Sequence, residues 1–145
     1  MANDLSVKDI LKLKNMQPVS LTTSVSGSAG TCTAEVSAGV VKIKIVTGTQ
    51  AKIATATINT PFGFEILDVA VQGFAVNTKE WTVTIKNNTD TIVAVNCATA
   101  DIIKRPTTSF DATYAEFAAG DNDLVVTLSG SSLGTAVLAL TILHV

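Results

Sequence analysis

Val41-Lys-Ile-Lys-Ile45 alternates apolar and charged residues without a break. Successive side chains on a β-strand point to opposite faces, so this stretch buries Val41, Ile43 and Ile45 and wets Lys42 and Lys44. The same period of two returns in Trp81-Thr-Val-Thr-Ile85 and in Leu124-Val-Val-Thr-Leu128. Working outward, the pattern predicts strands at about residues 40–47, 51–58, 63–72, 80–86, 91–97, 100–105, 123–129 and 135–144. Turn chemistry lies between them: Gly48-Thr-Gln50, Thr60-Pro-Phe-Gly63, Asn87-Asn-Thr-Asp90, Gly120-Asp-Asn-Asp123 and Ser129-Gly-Ser-Ser-Leu-Gly134. Short strands punctuated in this way predict an all-β fold, an antiparallel β-sandwich with a jelly-roll-like body. Ala112–Ala119 reads either as one helical turn or as an irregular connection between sheets.

Alternation also selects a core. Its candidates are Val41, Ile43, Ile45, Ile53, Ile66, Val69, Val71, Trp81, Val83, Ile85, Val93, Val95, Leu124, Val126, Leu128, Leu138, Leu140 and Ile142. The last strand, Thr135–Val145, is apolar on both faces. Such a strand is either central in a sandwich or packed against another subunit.

The N-terminal part differs. Ser6 with Asp9 three positions on is a relative of the capping box, and Val7, Ile10, Leu11 and Lys14 follow at helical spacing. This predicts a short arm with one helix over about residues 6–14, ended before Pro18. An isolated helix that short is marginal in water, so it docks on its own β body or on a partner. Ser24-Val-Ser-Gly-Ser-Ala-Gly-Thr31 reads as a flexible segment or as the loop of a hairpin between residues 21–25 and 32–36. The expected division is an arm and flexible segment over residues 1–37 and a β-sandwich domain over residues 38–145.

The chain has 145 residues, enough for one domain and a tail. Charged residues are 15% of it, against about 25% in ordinary soluble domains. Either the surface is a neutral, Thr-rich β surface, or part of it is covered by another chain. The net charge of −2 and the small cluster Lys42, Lys44 and Lys52 do not make the basic footprint of a nucleic-acid binder. On strands these lysines read as a solvated face that discourages edge pairing. Met1-Ala-Asn-Asp-Leu5 lacks the basic start and apolar run of a signal peptide. The longest apolar run, Ala136–Leu140, is far below the roughly 20 residues of a membrane-spanning helix. The expectation is a soluble protein made in a cytosol, with no membrane partner.

Catalytic chemistry finds no support in the residues. His144 is the one histidine and sits in an apolar strand, where a structural role at the strand end is expected rather than that of a base in a nucleophilic triad. Glu65 and Asp68 lie three apart on one strand, and strict alternation sends them to opposite faces, so they make no glycosidase pair. Trp81 beside Glu80 hints at a sugar platform, but it opens a clean inward alternation and is assigned to the core. Asp121-Asn-Asp123 lacks the spacing of an EF-hand loop and reads as a turn. Cys32 and Cys97 are too few for a four-ligand zinc site. Both read as free thiols, with Cys97 a small buried hydrophobe and a Cys32–Cys97 bridge unsupported by spacing. There is no GxGxxG and no GK[ST] phosphate loop. The reading is therefore of a non-enzyme without catalytic, cofactor or metal residues.

From Phe62 to Val145 the chain resembles the capsid decoration (cement) proteins of tailed bacteriophages. The likeness lies in Phe64-Glu-Ile-Leu-Asp-Val-Ala-Val-Gln72, Trp81-Thr-Val-Thr-Ile-Lys-Asn87, Ile102-Ile-Lys-Arg105, Phe117-Ala-Ala-Gly-Asp-Asn-Asp-Leu-Val-Val126, and the closing Gly134 with Val137-Leu-Ala-Leu140. Asn77-Thr-Lys-Glu80 stands where that family has a glycine-rich insert. The resemblance implies a small β-sandwich or jelly roll that assembles as a homotrimer on the outer face of a phage head. There it would bridge major capsid protein subunits against internal DNA pressure, as a structural virion protein made in the host cytoplasm. No site residues transfer, because the likeness lies in scaffold positions. It also gives the arm a role, with Leu5, Val7, Ile10, Leu11, Leu13 and Met16 as the expected capsid-contacting residues, ordering on a groove. The competing expectation is a glycan- or host-surface-binding module of a head or tail fibre, in which Trp81, Phe74 and Tyr114 form an aromatic platform.

Overall fold

The computed structural model describes residues 18–27, 29–47, 53–74, 81–97, 102–107, 110–130 and 134–145. The arm residues Leu5, Val7, Ile10, Leu11, Leu13 and Met16, and the helix expected over 6–14, lie outside the described residues. The strands are β1 Val19–Leu21, β2 Thr23–Gly27, β3 Ala29–Ser37, β4 Val40–Thr47, β5 Ile53–Thr60, β6 Phe64–Phe74, β7 Trp81–Asn87, β8 Asp90–Asn96, β9 Ile103–Lys104, β10 Glu116–Phe117, β11 Asp121–Gly130 and β12 Thr135–His144. They form two antiparallel sheets, and the all-β sandwich class holds. The first sheet has seven strands in the order β1-β3-β4-β12-β6-β10, with β9 also paired to β6. The second has five, in the order β2-β5-β11-β7-β8.

The inward residues of both sheets join in one apolar cluster. In the first sheet Leu138 lies between Ile43 and Val71, and Leu140 between Val41 and Val69. In the second, Val126 lies between Ala56 and Ile85, and Leu128 between Ala54 and Val83. All of these are fully buried. Each large aliphatic side chain in that layer contributes about 1.5–3 kcal/mol by leaving water. β12 is therefore central, paired on both sides, which is one of the two roles its apolar faces allowed.

Several expectations are corrected. The boundary set between residues 37 and 38 falls inside a hairpin, and among the described residues the sandwich already includes β1 from Val19. In β1 and β3, Leu21, Ala34 and Val36 supply an inward face that the Ser/Gly/Thr composition conceals. Their chain also changes sheets, β1 pairing with β3 in the first and β2 with β5 in the second. Ile53 is not core: it is 56% exposed at the start of β5, whose inward residues are Ala54, Ala56, Ile58 and Thr60. Of the strand expected at 100–105, residues 100 and 101 lie outside the described residues, and the described part holds β9 alone. Between residues 112 and 119 there is one 3-10 turn, Ala112–Tyr114, capped by the Asp111 side chain, and then β10. The lysine-bearing β4 lies inside its sheet and guards no edge.

A bulge in β6 overturns the parity argument for Glu65 and Asp68. Thr141 pairs with Asp68 but Ile142 pairs with Ile66, which leaves Leu67 as an extra residue. An extra residue shifts the alternation by one, so Glu65, between buried Phe64 and Ile66, and Asp68, before buried Val69, both face outward. The bulge also turns Leu67 to solvent, 53% exposed. The β3–β4 turn has φ values of 49° at Ala38 and 78° at Gly39. Two consecutive positive φ angles between the paired Ser37 and Val40 make the turn that matches strand twist in a two-residue hairpin.

Candidate functional site

The outer face of the seven-stranded sheet carries the most distinctive chemistry. Its centre carries an interrupted apolar strip: Ala139 of β12 pairs with Ala70 of β6, Val137 with Gln72, Thr141 with Asp68 and Leu143 with Glu65, while Leu67 and Phe74 of β6 add exposed apolar side chains. Leu67, Phe74 and Leu143 are between 40% and 53% exposed. Ile103 of β9, paired with Gln72, extends the strip at one edge and is also exposed. The bulge lets the consecutive residues Leu67 and Asp68 both face outward on this surface.

Charges of both signs border the strip. On one side, β4 presents Lys42 opposite Glu35 and Ala139, and Lys44 opposite Thr33 and Val137. These lysines, with Ser20, Thr33, Ala34 and Glu35, line a shallow depression of about 250 Å³. On the other side, Glu65 of β6 pairs directly with Glu116 of β10. Like charges in that position repel and cost about 0.2–1 kcal/mol unless a cation meets them. Neither carboxylate has an ion-pair partner among the described residues, whereas the neighbouring Asp68 is bridged by Arg105.

The outer face of the five-stranded sheet is different. Ser26, Thr55, Thr127 and Thr84 sit side by side across β2, β5, β11 and β7. The Thr55 and Thr127 hydroxyls are 3.5 Å apart. This row is uncharged.

The other residues singled out by the sequence fall as follows. His144 is exposed at the end of β12 and stacks on Phe62, with centroids 4.6 Å apart and planes 18° apart. Asp121–Asp123 opens β11 at an irregular register, where Asn122 accepts a hydrogen bond from the Asn59 amide and the Asp123 carbonyl accepts from the Asn88 N–H. No group of three or more metal-binding side chains occurs among the described residues. The Trp81 side chain, Glu80 and Lys52 lie outside the described residues. Phe74 and Tyr114 are not brought together: Tyr114 lies by the Phe64 end of β6, where Ile66 N–H donates to the Ala115 carbonyl, and Phe74 is at the other end. Ten residues of strand separate those ends, about 33 Å.

Both cysteines are free. Burial pushes the Cys97 thiol up to about 11, only partly opposed by Lys104. Burial also raises Cys32, with a hydrogen bond involving Thr23 opposing it. Neither thiol is activated for nucleophilic chemistry.

Comparison with known proteins adds little. No family model matches the chain, and no curated protein matches it. Among solved structures, a similar chain is the N-terminal endo-1,4-β-D-xylanase 10B of Clostridium thermocellum, its CBM22-1–GH10 modules complexed with xylohexaose. The match has 10% identity and a TM-score of 0.35, and takes in 88% of this chain but 26% of that one.

Proposed function

We propose that this chain is a structural virion protein, a capsid decoration protein that binds the outer surface of a phage head as a trimer and bridges major capsid protein subunits. The observation that carries the reading is the group of exposed apolar side chains on the outer face of β6 and β12, Leu67, Phe74 and Leu143. Large exposed apolar patches on soluble domains mark contacts with other proteins. Of the segments that resemble decoration proteins, those on β6, β9, β10 and β12 belong to the sheet that carries this surface, and those on β7 and β11 to the other sheet. A protein whose work is to clamp needs a rigid body and contact surface rather than an activated nucleophile, and neither thiol here is one.

The test is binding to purified heads that lack the protein. Co-sedimentation that saturates at a fixed number of copies per head, with heads surviving heat or osmotic shock that bursts bare ones, is the expected result. Heads that neither bind the chain nor gain resistance would overturn the reading.

A further inference from the structure

We draw no further inference here: the strongest candidate, the shallow depression on β1, β3 and β4 lined by Ser20, Thr33, Glu35, Lys42 and Lys44, holds side chains of both charge signs, with Glu35 directly opposite Lys42, and nothing in the structure shows what covers it.

Discussion

Leu138 shows how much one side chain can carry here. It is fully buried, with Ile43 on one side and Val71 on the other. Leu138→Ala should therefore cost about 2–5 kcal/mol, read as a lower urea midpoint with little change in slope. Cys97 gives a pH signature. In the unfolded chain its thiol titrates at about 8.5, and in the fold at about 11. The folded state keeps the proton to higher pH, so stability is complete below about 8.5 and declines as pH rises toward 11. Cys97→Ala should flatten that decline relative to the unmodified chain, measured as urea midpoints between about pH 7.5 and 10.5. At this scale the sequence was a good guide where neighbours agreed. Val41, Ile43, Ile45, Leu124, Val126 and Leu128 are buried as alternation requires. Ile53 misled because the inward positions of β5 are held by two alanines, an isoleucine and a threonine, so apolar character does not mark the inward face there. Phe64 and Phe117, stacked with centroids 4.9 Å apart, went unnoticed because β10 is too short to show a period.

Elements were legible wherever turn chemistry bracketed a clear period, and the residues of β12 were read without error. β1 to β3 were obscured by small polar residues whose backbone pairs as well as any other. The bulge at Leu67 had no signal in composition, since an extra residue is only recognised against the partner strand. Because the bulge both exposes Leu67 and aligns Glu65 with Asp68, the candidate surface was hidden with it. The β3–β4 turn offers a test of element-level strain. Ala38 holds a φ of 49°, a left-handed backbone that costs alanine more than asparagine or glycine. Ala38→Asn should raise the melting temperature, by a stabilisation on the order of 0.5–1 kcal/mol. An unchanged or lower melting temperature would show that the turn is not strained.

For the whole molecule, two sheets with unlike outer faces imply two kinds of surroundings. The Ser26–Thr55–Thr127–Thr84 row suits water, while the strip on the opposite side does not. Removing residues 1–17 leaves every described strand in place, so the shortened chain should fold and melt as before. On the decoration reading it should bind heads at least tenfold more weakly, by co-sedimentation. Undiminished binding would assign the capsid contact to the sandwich itself. That division of labour could not be read from strands alone, because the surface that meets a partner is set by how neighbouring strands align.

The place of β12 has a further consequence during synthesis. It is the last of the strands to leave the ribosome, yet it joins β4 to β6 at the middle of the larger sheet. Until it is released, the nascent sheet exists as two separate halves, each with an open, apolar edge of unpaired amides and carbonyls. Such edges recruit other strands. Nascent chains on crowded polysomes would therefore be exposed to chaperones and to one another, and translation stalled before Thr135 should yield insoluble, protease-sensitive product rather than a smaller folded domain.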